Sequence, residues 1–426
     1  MVRAGDLSAA HVRVLDALDR QAIVDDIVTM VQTPSVTGTD AESELQNRMA
    51  TRLAALGMDV DLWKFDLDAL RADPDYPGVE ADRSEGYGLV ATSGPGEPAL
   101  VLQGHADVVP VGDPARWHQD APFSGAVRGN TIFGRGTVDM KAGIAANLAV
   151  AKALLTSGIT LERPFAIHQV VSEEDGGLGA FATMRRGHRG EVAVITEPTS
   201  GRLLIANAGA LTFVLSVPGR AAHGSTRLEG VSAYEAFAPL YRAIQELEAE
   251  RNADASPLFR DYHMPYGISV GKISAGDWAS SVPDLLVAEG RMGVILDEDV
   301  SHARAAFETA IASAASKDAW LRDHPPTIAW SGGQFASGRL EETHPLIEEV
   351  AEAVATVQGS RPDIGAAPYG SDLRLYKGIG GIPTLQYGPG DVRYAHAPRE
   401  QVSITETLEV TQALAIMAVT RLGGHL

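Results

Sequence analysis

Residues 164–180 read PFAIHQVVSEEDGGLGA. The apolar run PFAIHQVV passes directly into two adjacent glutamates, Glu173 and Glu174, then Asp175 and a pair of glycines. A short run without polar alternation fits a strand buried on both faces. Two like charges at its end repel each other, and regular strand geometry would send them to opposite faces. Either the pair lies in a solvated loop, or the strand ends there and each carboxylate has its own task at one site.

Outward from this stretch the pattern repeats. PALVLQG (98–104) and EVAVITE (191–197) are further short apolar strands, and TVDMKAGIAANLAVAKALLTS (137–157) between them is Ala-rich and helical. Residues 8–33 and 41–56 carry apolar residues at helical spacing, Gly57 stops the second run, and MDVDLWKF alternates like a strand. The segment 68–85 is looser, acidic and contains proline. Buried strands alternating with helices imply a mostly parallel α/β sheet. After about residue 207 the texture changes. GALTFVLSVPG alternates, SAYEAFAPLYRAIQELEAE (232–250) is an amphipathic helix, YGISVGKI and LLVAEGRMGVIL alternate again, and a helix near 301–316 and the strand PTIAWSG follow. That outline, β–α–β–β–α–β, is a small ferredoxin-like α+β unit. The expected organisation is one domain, 1–207 and 332–426, with a second, 208–331, inserted into it.

The chain has 426 residues, 45% hydrophobic and 21% charged, which suits a globular protein with ample core. Lys and Arg number 35 against 55 Asp and Glu, a net charge of −20, which argues against nucleic acid and anionic membrane as partners. There is no cysteine, so disulfides, thiolate catalysis and Cys-based zinc sites are excluded. The N-terminal MVRAGDLSAAHVRVLDALDR has no apolar core of signal-peptide type, and no run of 18 apolar residues occurs, so a cytoplasmic protein is expected.

Three strands end in candidate ligands: VLQGHAD in His105 and Asp107, HQVVSEE in Glu173 and Glu174, AVITE in Glu197. In open α/β sheets, sites form outside the carboxyl ends of the strands. One such carboxylate means little, but three strands delivering His, Asp or Glu to one edge is hard to reconcile with solvated loops. GRGTVDMKAG (134–143) adds Asp139, which also suits a helix N-cap. VRYAHAPRE (392–400) adds His396, otherwise an ordinary surface histidine. His168 and His188 read as structural, His118 as surface, and Trp63, Trp278 and Trp330 as packing residues.

In order, H-A-D, G-R-G-x-x-D-M-K, E-E-D-G-G, E-P-T, A-H-G-S and A-H-A-P-R-E resemble the co-catalytic zinc aminoacylases and peptidases, a group that includes acetylornithine deacetylase and succinyl-diaminopimelate desuccinylase. The motifs run from residue 105 to 400. The resemblance implies a zinc-peptidase-like catalytic domain with an inserted lid and dimerisation domain, two divalent metal ions (zinc foremost, cobalt or manganese as alternatives) and a homodimer formed through the insert. It implies that His105 and Glu197 hold one metal, Glu174 and His396 the other, and that Asp139 bridges them. Glu173 would be the general base toward a metal-bridging hydroxide, and Asp107 would fix the His105 tautomer from the same side of the strand. Glu174 would thus bind metal while Glu173 carries protons.

In the insert, His223 matches a histidine that stabilises the oxyanion, often across a dimer, and Arg291 matches a lid arginine for a substrate carboxylate. One departure stands out. Where members that bind an α-carboxylate have Asn before a hydrophobic-Pro pair, WASSVPD has Ser281, a hydroxyl without an amide fork. Arg374, in the stretch Gly370, Ser371, Asp372, Leu373, Arg374, and the backbone of Gly388 and Gly390 are further candidates for an anion. The expected function is a hydrolase removing an acetyl, succinyl or formyl group from an amine or amino acid. The alternatives are a formylaminopyrimidine-type deformylase without a carboxylate requirement, a metallo-dipeptidase or carboxypeptidase, and last a non-catalytic metal-binding protein.

Overall fold

The computed structural model describes residues 7–117 and 120–426; His118 lies outside the described residues. The chain forms two compact units. The first runs to Ala206 and takes in Arg339–Gly365 and Asp372–Leu426; the second is Asn207–Gly338 with Ala366–Ser371. The strand Thr327–Phe335 carries the second unit past the expected return at 332, because it stays paired with Gly209–Pro218 as far as Phe335.

In the first unit the strands Phe165–Val170, Leu100–His105, Ala193–Ile195 and Thr384–Gln386 lie side by side in that order, all parallel. Each of the four is buried along its whole length, which is why their sequences do not alternate. Tyr87–Thr92 and then Asp59–Lys64 extend one side antiparallel. The expected helix over 8–33 is broken into Ala9–Asp16 and Arg20–Val31, because the Asp19 carboxylate accepts the N–H groups of Gln21 and Ala22 and starts a new helix. The Ala-rich helix begins at Ala142 and runs to Thr156, later than expected. Residues Thr137–Lys141 before it form an irregular turn in which Asp139 is not helical. Gly143 lets this helix close on the sheet: a Cβ there would stand 2.1 Å from the Thr196 carbonyl oxygen, one residue before Glu197.

The second unit has the expected β–α–β–β–α–β order. Its sheet runs Ile268–Ala275, Leu285–Val294, Gly209–Pro218, Thr327–Phe335, all antiparallel. Gly209–Pro218 alternates buried and half-buried residues, and its buried set Leu211, Phe213, Leu215 and Val217 shares one core with Phe237, Leu240, Ile244 and Phe307 of the helices Ala233–Asn252 and Val300–Lys317. Trp330 packs against this core with its indole N–H on Glu308. Trp63 packs in the first unit under the Arg186 guanidinium. Trp278 is a correction: it is 73% exposed and packs into no core. Among the described residues no helix is long and apolar enough to cross a membrane.

Candidate active site

The strand order decides the site. Leu100–His105 is flanked by Phe165–Val170 and Ala193–Ile195, with His105 in register with Val170 and Gln103 with Ile195. The three carboxyl ends therefore open side by side, and His105, the Glu173–Glu174 pair and Glu197 emerge at one edge.

The pair no longer obeys strand alternation because Ser172 takes a left-handed backbone conformation, φ 64°, and turns the chain. The Asp107 carboxylate holds the turn: Oδ1 accepts the Glu173 N–H at 3.2 Å and Oδ2 the Glu174 N–H at 3.1 Å. The Thr37 hydroxyl donates to Asp107 Oδ2 at 2.9 Å from a segment 70 residues away in sequence. Asp107 also meets His105, more closely through its main-chain oxygen, 2.9 Å from Nδ1, than through its carboxylate, 3.5 Å. The tautomer-fixing contact expected of the side chain is thus made first by the backbone, while the carboxylate holds the two glutamates. Asp175 continues the turn, accepting the Ser172 hydroxyl and the Ala81 N–H. Arg83, buried, bonds Glu42 at 3.1 Å and lies 3.7 Å from Asp175, so the loose segment 68–85 is pinned to this turn.

Around this edge the donors converge. His105 Nε2 is 3.0 Å from Asp139 Oδ1 and 3.6 Å from Glu197 Oε1. His396 Nε2 is 3.3 Å from Asp139 Oδ2 and 3.0 Å from Glu174 Oε2. Donor atoms of His105, Asp139 and Glu174 lie mutually within 4.8 Å, and so do those of His105, Glu173 and Glu197. By distance alone Glu173 is as able to ligate a cation as its neighbour. His396 adopts φ 57°, a conformation rare for a non-glycine residue, as the chain bends toward Asp139.

The electrostatics follow from crowding. Burial, then the Glu197 carboxylate, hold the Glu173 carboxyl well above its ordinary value; burial, then Asp139, raise Glu174; burial also raises Glu197. His396 is pushed up to about 11 by its bonds to Asp139 and Glu174. Burial works against a charged His105, but Glu197, Asp107 and Asp139 together hold its pKa well above the imidazole range. Buried carboxylates thus outnumber imidazoles here, and they draw positive charge to the centre. Nitrogen and oxygen donors so arranged suit divalent cations.

The remaining candidates divide. Arg374 is buried and its Nη2 donates to the Gly176 carbonyl at 2.7 Å, in the loop after the two glutamates. Gly388 and Gly390 do not offer free N–H groups: Gly388 donates to Thr199 Oγ1 at 3.3 Å and Gly390 to Glu406 Oε1 at 3.0 Å, and both glycines are buried. The expected anion cradle there is corrected by these bonds. In the second unit, His223 is exposed and its Nδ1 accepts the Ser225 N–H, capping a short turn. An isolated antiparallel bridge joins His223 to Ser281, which is also exposed. Arg291 is half-buried and its Nη2 donates to the Pro368 carbonyl at 3.1 Å. His168 is a core histidine, its Nδ1 2.9 Å from the Tyr376 hydroxyl, and burial lowers it to about 3. His188 pairs with Asp61 at 2.9 Å. Sequence reasoning gave no role to Thr37 or Arg83, whose partners lie far along the chain and leave no local signal.

The chain matches the model of peptidase family M20/M25/M40 over residues 101–420. It belongs to that family. The N-formyl-4-amino-5-aminomethyl-2-methylpyrimidine deformylase of Bacillus subtilis (strain 168) is 26% identical over 407 residues, covering 90% of each chain. The acetylornithine deacetylase of Salmonella arizonae is 25% identical over 406 residues, covering 93% of this chain and 96% of that one. Among solved structures, the M20 family metallo-carboxypeptidase Sso-CP2 from Sulfolobus solfataricus shares the fold, with a TM-score of 0.75 at 15% identity over 94% of this chain and 98% of that one. The M20 chain is accordingly a metal-dependent amide hydrolase with His, Glu and Asp groups arranged to bind metal.

Proposed function

We propose that this M20 chain is a dinuclear amidohydrolase that removes a small acyl group from an amine. The observation that carries the reading is Asp139, whose two carboxylate oxygens face two different imidazoles, His105 at 3.0 Å and His396 at 3.3 Å. A carboxylate so placed suits a bridge between two cations. His105 and Glu197 would hold one and Glu174 and His396 the other, with zinc favoured by the donor types and cobalt or manganese also served. Bound there, the ions would polarise the scissile carbonyl and acidify water.

This chain's own residues supply the rest. Glu173 takes a proton from the attacking water on its carboxylate and delivers it to the leaving nitrogen. Asp107, gripping the N–H groups of Glu173 and Glu174, keeps the base and the ligand from exchanging places. Arg374 steadies the same loop through Gly176. His223, exposed on the second unit, has Nε2 left to donate to the developing oxyanion, and a second copy of the chain, docked through that unit, is the arrangement we favour for bringing it there.

Two substrate readings each have an observation behind them. Arg291 is half-buried, burial lowers its pKa, and its guanidinium donates to a neutral carbonyl, which favours an acid-bearing substrate. Ser281, standing where an amide fork is expected for an α-carboxylate, favours a formyl amide without one, as does the likeness to the pyrimidine deformylase. The test is primary-amine release by metal-loaded protein from N-formyl, N-acetyl and N-succinyl amines, each with and without an α-carboxylate. Turnover confined to the acids supports the Arg291 reading, and turnover without the acid supports the deformylase reading. No release from any member, with two metals bound, refutes the small-acyl assignment.

A further inference from the structure

The motif AHAPRE ends in Glu400, a residue to which the mechanism above gives no task. It is 1% exposed, yet it is a carboxylate. Its Oε1 accepts three main-chain donors of the glycine-rich turn: Gly136 N–H at 2.8 Å, Val138 N–H at 3.2 Å and Asp139 N–H at 3.3 Å. Its Oε2 accepts Arg135 Nη1 at 2.5 Å from the same turn. Its main-chain oxygen accepts the Gly134 N–H at 3.1 Å, and its own N–H donates to the Ala397 carbonyl at 3.1 Å. Beyond it, Gln401–Ser403 pairs with Thr131–Phe133, the strand that leads into the turn. One side chain thus fastens residues 135–139 to the loop that contains His396.

We propose that Glu400 is a positioning residue for metal binding, holding the Asp139 loop and the His396 loop in one fixed arrangement; this rests on the dinuclear reading above. Among the described residues Glu400 makes no hydrogen bond to the His105, Glu174 or Glu197 side chains, so its influence runs through the backbone of Asp139. The chemistry explains why an acid stands there. Three N–H groups converging on one oxygen form a concave anion site, and Arg135 adds a cation on the other oxygen. A neutral amide keeps one acceptor oxygen for the N–H groups but sets its NH2 against the Arg135 guanidinium. An alanine removes both side-chain acceptors and leaves the three N–H groups to find new partners by moving the turn, and Asp139 with it. Residues behind metal ligands typically alter affinity by about 10- to 100-fold when removed.

The experiment is titration of metal-free protein with Co2+, read by stoichiometry, affinity and the visible cobalt spectrum, on wild type, Glu400→Gln, Glu400→Ala and Val350→Ala. Val350 lies in the core helix Pro345–Gln358 and serves as a control for lost stability. All are measured well below their melting temperatures. Wild type is expected to take two Co2+. Glu400→Ala is expected to bind at least one of them about 10- to 100-fold more weakly, with an altered spectrum. Glu400→Gln is expected to fall between the two, and Val350→Ala to melt lower while binding as wild type does. In turnover, kcat falls and KM stays nearly unchanged. If Glu400→Ala binds two Co2+ with wild-type affinity and spectrum, the proposal is overturned, whatever its melting temperature. If wild type itself binds a single Co2+, the dinuclear reading fails and takes the proposal with it, a result distinct from failure at Glu400 alone.

Discussion

The carboxyl edge of the parallel sheet and the His223–Ser281 corner of the second unit carry the same kinds of side chain under opposite conditions. At the sheet edge, His105 is fully buried, Asp107 grips two main-chain N–H groups, and burial raises the Glu173, Glu174 and Glu197 carboxyls. At the corner, His223 is exposed, its ring fixed by a contact to Ser225, and Ser281 faces it across a single bridge. Placing charge in a buried edge is costly unless each group is held by several partners, so that geometry is over-determined. An exposed histidine bears no such cost and needs no such support. On the proposed reading, the first region acts as it stands, and the second serves when a second copy covers it.

The sharpest way to break this comparison is at Glu173, where distance alone admits two roles. Glu173→Gln removes the proton acceptor and keeps the shape. As general base, its loss is expected to lower kcat by about 10²- to 10⁴-fold while both metals stay bound by elemental analysis. Loss of one metal on the same substitution would instead make Glu173 a ligand, in keeping with its place beside His105 and Glu197. Near-normal turnover would remove it from the chemistry altogether.

The corner is tested by His223→Ala. A donor to a developing oxyanion is worth about 10²- to 10³-fold in kcat, and metal content should not change. Mixing His223→Ala chains with Glu173→Gln chains then separates two geometries. Recovered activity in the mixture means that one copy lends its histidine to the other's sheet edge. An unchanged, low rate means that the histidine serves its own chain. Wild-type activity of His223→Ala alone would leave the ring as the turn cap that its Nδ1 already makes.

How much of this was legible follows the same division. Buried parallel strands have a strong sequence signature, and their ends could be read because a polar residue after an apolar run marks where the sheet stops, as at His105, Glu173 and Glu197. The β–α–β–β–α–β order of the second unit was equally plain from alternation. What escaped were long-range bonds. Nothing in TPSVTG announces that Thr37 donates to Asp107, or that Arg83, in a stretch read as loose, is buried against Glu42. The late start of the helix at Ala142 was missed because Val138 and Met140 continue the apolar pattern while Glu400, far along the chain, holds the backbone of Val138 and Asp139 out of it. The GPG turn failed for a like reason: its N–H groups found Thr199 and Glu406.

The smallest expected effect concerns the first region's own support. Asp107 was read as a partner for the His105 ring, yet its carboxylate oxygens are 3.2 and 3.1 Å from the Glu173 and Glu174 nitrogens. Asp107→Asn separates these tasks. The amide retains one acceptor, so one glutamate N–H keeps its bond, while its NH2 opposes the other N–H or the Thr37 hydroxyl. His105 keeps the main-chain oxygen of residue 107 and hence its orientation. The expected result is a fall in kcat of about 10- to 100-fold, in line with the loss of a supporting residue behind a metal site. If the carboxylate chiefly holds the turn, Thr37→Val should show a weaker version of the same defect, since it removes the hydroxyl that orients Asp107 from outside. If Thr37→Val is silent while Asp107→Asn weakens metal at His105, the carboxylate acts through the imidazole after all. The adjacent glutamates would then owe their placement to the bend at Ser172 alone.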